Sequence, residues 1–141
     1  MCGITGIYAF NMVGRVGMIH LAKATESLSS RGPDFQNTLH DNSVGLGHRR
    51  LSILDPSPDG HQPMSDQTGR YHLIFNGEIF NFRELRKELE LSGVTFYSQS
   101  DTEVLLHLLI REGKNCLKKL NGFFALAFYD NQSGSLLLAR D

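Results

Sequence analysis

The sequence predicts an α/β or α+β protein with helices packed on sheet, and three observations lead there. Strand-like segments rich in Ile, Phe, Tyr and Leu stand at both ends, GITGIYAF at 3–10 and GFFALAFY at 122–129. Two segments between them carry helical apolar spacing behind capping-box openings, Asn81 with Glu84 and Ser100 with Glu103. No internal repeat or low-complexity stretch points to a solenoid or a disordered chain. Amphipathic helices bury their apolar stripe against a sheet face, so this mixture implies a layered fold.

In chain order, residues 3–10 predict a buried strand. Residues 15–29 carry Val16, Ile19, Leu21, Ala22 and Leu28 at helical spacing and predict a helix, broken by Arg31-Gly32-Pro33-Asp34. Residues 37–41 and 43–49 predict two short strands around an Asp41-Asn42 turn. Residues 51–69 hold three of the four prolines and read as a long ordered loop, which in a compact domain is usually functional. Residues 70–76 predict a strand running into Gly77-Glu78 and a helix over about 81–92, with Leu85 and Leu89 buried and Gly93 as its stop. The helix opening at Ser100 runs through Val104, Leu105, Leu108 and Leu109 to Gly113, and its broad apolar surface predicts deep burial. Residues 122–129 and 135–139 predict a hairpin around 131–134. The chain reaches Ala139-Arg140-Asp141 directly after a strand, which leads us to expect that the domain continues.

The 141 residues fit one domain that can bury a core without disulfides or metals. Lys and Arg number 14 against 15 Asp and Glu, a balance that argues against a nucleic-acid surface or an electrostatic membrane anchor. Two cysteines far apart, Cys2 and Cys116, fit a reducing compartment. The first residues, MCGITGIYAF, lack the basic segment of a secretory signal, and no apolar run approaches a membrane span. A cytoplasmic location is expected. The six histidines and two cysteines show no pair at structural-zinc spacing, so no metal is expected. There is no Gly-Lys-Ser/Thr phosphate loop and no Gly-x-Ser-x-Gly elbow.

Cys2 draws attention because a cysteine at position one has a base attached. Its α-amine, with a pKa of about 7.7–8.0, is matched to accepting the proton of a thiol that titrates near about 8.5. Methionine removal favours a small second residue, which Cys2 is; an ordinary small residue or buried thiol fits the same position. Asn76-Gly77 offers a side-chain and a backbone N–H at a strand end, the parts of an oxyanion hole, and equally the parts of a hairpin turn. Arg49 and Arg50, before Leu51-Ser52, present a guanidinium able to clamp a carboxylate, or a solvated strand end. Asp101 at a helix start is a dipole-stabilising acid or a receiver for a substrate ammonium. His61, in Gly60-His61-Gln62-Pro63-Met64, has no obvious partner.

Seven segments stand in order: MCGITG at 1–6, RGPD at 31–34, HRRLSILD at 48–55, GHQPM at 60–64, FNGEIFNFRELR at 75–86, SDTEVLL at 100–106 and NGFFALAFYD at 121–130. Together they resemble the glutaminase domain of glutamine-hydrolysing asparagine synthetases, which are class II glutamine amidotransferases among the N-terminal-nucleophile hydrolases. The RGPD and RLSILD wording resembles that branch more than amidotransferases serving sugar or phosphoribosyl acceptors.

The resemblance implies an αββα sandwich of antiparallel sheets, and makes residues 1–141 an incomplete amidotransferase type 2 domain whose synthetase domain is absent. It implies that Cys2 attacks the side-chain amide of glutamine, with its own amine moving the proton, so that a retained Met1 would block activity. It gives Asn76 and Gly77 the oxyanion, Arg50 the substrate carboxylate, and Asp101 and Glu78 the ammonium. Leu51, Ser52, Ile53 and Leu54 would line the pocket. No cofactor is implied for this domain, whereas ATP and Mg belong to the missing synthetase domain that would amidate aspartate. The implied partners are glutamine and that C-terminal domain, with no nucleic acid and no membrane, and a homodimer is left open. The competing expectations are an amidotransferase for a sugar or cell-surface acceptor, and a non-catalytic glutamine-binding or assembly domain.

Overall fold

A computed structural model describes residues 2–53, 55 and 57–141. Strand β1 (Gly3–Tyr8) is followed by a short helix α1 (Met12–Gly17), a 3₁₀ turn (Met18–His20) and helix α2 (Leu21–Glu26). Next come β2 (Phe35–Asp41), β3 (Val44–Arg50), a 3₁₀ turn (Pro58–Gly60), β4 (Met64–Ser65) and β5 (Tyr71–Ile79). Helices α3 (Phe82–Leu91) and α4 (Asp101–Glu112), a 3₁₀ segment (Gly113–Lys119), β6 (Gly122–Asp130) and β7 (Ser135–Arg140) complete the order. The described residues form two antiparallel sheets, β1-β3-β2 and β4-β5-β6-β7.

The two-residue period of β3 builds the layers. Val44 and Leu46 meet Ile74, Ala127 and Tyr129 of the other sheet in a small apolar core between the sheets. The intervening Gly45 and Gly47 face α2. A β-carbon on Gly45 would sit 2.9 Å from the Leu21 side chain, and one on Gly47 only 2.1 Å from Thr25 Oγ1. Helix α2 therefore rests directly on β3. On the second sheet, alternate residues Leu73, Phe75 and Ile79 of β5 turn the other way and join a larger core with Leu85, Leu89, Val104, Leu105, Leu108 and Leu109 of α3 and α4. The result is the expected αββα layering.

Several local expectations need correcting. The helical segment starts earlier than residue 15, with Asn11 accepting the Gly14 N–H as its cap, and it breaks into α1 and α2. Leu21 is buried, but Val16 and Ile19, which precede the part that rests on the sheet, are exposed, and so is Ala22, which lies on the face of α2 turned away from Leu21 and Thr25. Strand β1 ends at Tyr8 and is half-buried, with Phe10 89% exposed. The Asn81 side chain does not cap α3. It donates to Lys119 O and accepts from Asn121 N, tying the helix start to the approach of β6. Ser100 does cap α4 through the Glu103 N–H, but the Glu103 carboxylate reaches past the cap to Tyr97 N and Ser98 N. Strand β5 runs on to Ile79, so Asn76-Gly77 lies inside a strand rather than in a turn. Among the described residues no helix is long and apolar enough to cross a membrane.

Candidate active site

Cys2 sits immediately before β1, and three contacts fix it. Its Sγ accepts the Leu51 N–H at 3.4 Å and faces Leu51 O at 3.7 Å, while Arg31 Nε donates to the Cys2 carbonyl at 3.0 Å. The RGPD turn thus grips the N-terminal segment. Gly32 lets that turn approach, since a β-carbon there would lie 2.4 Å from the Arg49 carbonyl. Asp34 accepts the Ser52 N–H at 2.7 Å, holding the segment after β3.

Arg50 ends β3 on the face that begins with Val44 and Leu46, so the strand carries its side chain from the apolar core to the cleft. It is only 4% exposed, and its guanidinium donates to Ser57 O at 2.8 Å and to Asp55 O. Gly60 makes room for it, because a β-carbon there would sit 2.2 Å from Arg50 Nη2. Asp101 opens α4, is 5% exposed and accepts the Ile79 N–H at 3.1 Å. Burial pushes its carboxyl up to about 6, and the nearby Glu78 charge adds to this, while the backbone N–H groups of Ile79 and Thr102 oppose it.

Gly77 presents a backbone donor for a geometric reason. Across from it stands Phe124, whose N–H goes to Asp141 Oδ1 and whose carbonyl takes the Asp141 N–H. Phe124 therefore faces β7, the Gly77–Phe124 pair is a non-hydrogen-bonded one, and the Gly77 N–H points out from the opposite edge of β5. A side chain is excluded here, since a β-carbon would lie 2.2 Å from Phe123 O.

These groups meet in one cleft. It is lined by Cys2, Arg50, Leu51, Ile53, Gly77, Glu78 and Asp101, all expected from the sequence. Ser52 and Asn76 are not among the lining residues. Asn76 shares a strand face with Ile74, and its Oδ1 is buried with no partner among the described residues. Leu54 and Met1 lie outside the described residues. Sequence reasoning missed Gln62, Phe75, Ser100, Thr102, Gly60 and Phe123, which also line the cleft. The GHQPM segment was the available signal for Gln62, an uncharged amide beside a titratable histidine. His61 instead stacks on Phe35 with ring centroids 3.5 Å apart. His48 is wholly buried, and burial lowers its pKa to about 4, so the neutral ring donates from Nε2 to Phe75 O at 3.2 Å. Among the described residues no three His, Cys, Asp or Glu side chains gather as a metal site.

A thiol, a guanidinium, a buried carboxylate and an outward backbone N–H in one cleft suit acyl transfer from a zwitterionic substrate. Comparisons with known proteins agree. The family described as glutamine amidotransferase domain matches residues 1–141. Asparagine synthetase [glutamine-hydrolyzing] 3 of Bacillus subtilis (strain 168) is 41% identical over 143 residues, covering 100% of this chain and 23% of that protein. The putative asparagine synthetase [glutamine-hydrolyzing] 2 of Methanocaldococcus jannaschii is 36% identical over 159 residues, covering 100% of this chain and 30% of its own. The chain thus spans about a quarter of the length of such curated relatives. The solved glutamine phosphoribosylpyrophosphate amidotransferase of B. subtilis superposes with a TM-score of 0.77 at 21% identity, over 100% of this chain and 37% of that one, and so shares the fold. By sequence and fold together, the chain belongs to the glutamine amidotransferase domain family.

Proposed function

We propose that this chain hydrolyses glutamine to glutamate and ammonia as the glutaminase half of an asparagine synthetase. The observation that carries the reading is the gathering of Cys2, Arg50, Gly77 and Asp101 around one cleft. With Met1 removed, the Cys2 amine takes the thiol proton, through a bridging water, and the sulfur attacks the amide carbon of glutamine. The tetrahedral oxyanion is met by the Gly77 N–H; the Asn76 side chain, which does not line the cleft, would have to turn towards it to serve as the second donor. The protonated amine returns its proton to the nitrogen, the C–N bond breaks and ammonia leaves. Water then attacks the thioester, releasing glutamate and the free thiol.

Arg50 holds the substrate carboxylate, and Asp101 with Glu78 holds the ammonium, so the amide is delivered to sulfur in a fixed geometry. Leu51 and Ile53 flank it. The ammonia would pass to a synthetase domain that uses ATP and Mg to amidate aspartate, in a cytoplasmic enzyme; the identities to asparagine synthetases favour this acceptor over a sugar. The experiment compares glutamate release by the full-length polypeptide and its Cys2→Ala variant. Release by the wild type and background release by the variant are expected; equal release would remove Cys2 as nucleophile.

A further inference from the structure

Along the cleft edge of β5, the backbone groups of Phe75, Gly77 and Ile79 all face outward, because alternate residues of an antiparallel strand share a direction. Strand β4 stops short of them. Its pairing ends with Met64 opposite Leu73, which leaves Gln62 level with Phe75. Side chains take over where the backbone ladder ends. Gln62 Oε1 accepts the Phe75 N–H at 2.6 Å, His48 Nε2 donates to Phe75 O at 3.2 Å, and Asp101 Oδ2 accepts the Ile79 N–H at 3.1 Å. The outward donors on either side of Gly77 are therefore both claimed by buried side chains.

Gln62 does more than fill a gap. Phe75 N–H can only donate, which fixes the amide's oxygen towards it, and the amide nitrogen donates to Thr102 Oγ1 at 3.2 Å. One buried side chain thus joins three elements that carry the site: the loop after Arg50, the strand of Gly77 and the first turn of α4 beside Asp101. Its own chemistry offers no nucleophile and no titratable proton.

The geometry points to Gln62 as a positioning residue for the oxyanion strand. It keeps the Phe75 peptide pinned from the loop side while His48 holds the carbonyl, so that the Gly77 N–H stays aimed at the cleft. This rests on the glutaminase reading above. Removing Gln62 leaves the Phe75 N–H buried without an acceptor, and the strand edge then relaxes to satisfy it. The oxyanion donor shifts, whereas Arg50 and Asp101 keep their own anchors. Loss of a whole oxyanion donor costs about 10²–10³ in turnover, so a misaimed one is expected to cost about 10- to 100-fold.

The test is steady-state glutaminase kinetics of the full-length polypeptide carrying Gln62→Ala, with wild type and Cys2→Ala alongside. Iodoacetamide alkylation of Cys2 counts competent sites, since displacement at that reagent's carbon needs no oxyanion hole. The expected result is a kcat per alkylatable Cys2 about 10- to 100-fold lower, with KM within about threefold of wild type and an unchanged alkylation rate. An unchanged kcat per site, or a loss that appears only in KM, overturns the assignment. Loss of alkylation in step with kcat overturns it too, because the residue would then be structural. If Gln62→Ala does not fold, Thr102→Val removes the amide's second anchor while keeping its shape. A several-fold fall in kcat is then expected, and a wild-type kcat contradicts the proposal. Equal glutamate release by wild type and Cys2→Ala would instead strike the glutaminase reading beneath it.

Discussion

On its helix-facing side, β5 presents Leu73, Phe75 and Ile79 to Leu85, Leu89, Leu105 and Leu109, a core of apolar contacts. Along its free edge the same strand is held by Gln62, His48 and Asp101, each buried, each polar and each engaged with a backbone group. The first arrangement tolerates variation in contact detail so long as volume is kept. The second fails when one atom moves, because a buried polar group without its partner is costly. Stability therefore rests mainly with the helix side, and the chemistry with the edge.

Substitutions on the two sides should separate these roles. The largest effect on folding is expected from Leu105→Ala, which empties a fully buried site in α4 and should cost roughly 2–5 kcal/mol in urea unfolding. Glutamate release per folded molecule should stay near wild type; a matching fall in kcat would merge the two regions. Next comes Arg50→Ala, which removes a charge-assisted contact worth about 1.5–3 kcal/mol, so KM for glutamine should rise about 10- to 100-fold with kcat less affected. An unchanged KM would remove Arg50 from the clamp.

A smaller effect is expected with pH. The Asp101 carboxyl, lifted by burial to about 6, is charged above that pH and neutral below it. Ammonium binding should weaken as pH falls through 6, so kcat/KM should drop on the acid side and Asp101→Asn should flatten that limb. Persistence of the limb in the variant would assign it to another group. The smallest effect on turnover is expected from Cys116→Ser. That thiol is buried in the helix-side core, and burial pushes it up to about 11, so it takes no part in the chemistry. A large loss of kcat per folded molecule would show the core and the edge to be coupled.

Much of this division was legible in the sequence where period and chemistry coincide. Val104, Leu105, Leu108 and Leu109 read as a buried helix, and they are one. Cys2, Arg50, Gly77 and Asp101 read as site residues from ordered segments, and the fold brings them to one cleft. What stayed hidden depends on tertiary contact. The apolar residues Val16 and Ile19 look like a core face, yet α1 and the 3₁₀ turn after it leave them exposed, and only α2 packs closely on β3. Asn76-Gly77 looks like a turn, because the β6 partner that keeps both residues in a strand stands about fifty residues later in sequence. Asn81 looks like a helix cap, but the backbone approaching β6 offers it better partners. Gln62 was invisible as a site residue, since an amide has no reactivity of its own and its importance lies in what it touches.

The central claim is that Cys2 acts as the N-terminal residue, with its own amine as base. It is tested most directly by measuring glutamate release from two preparations of the full-length polypeptide, one with Met1 removed and one with it retained, each verified by mass spectrometry. The processed protein should hydrolyse glutamine and the retained form should fall to the level of Cys2→Ala. Equal activity in the two preparations would contradict the account.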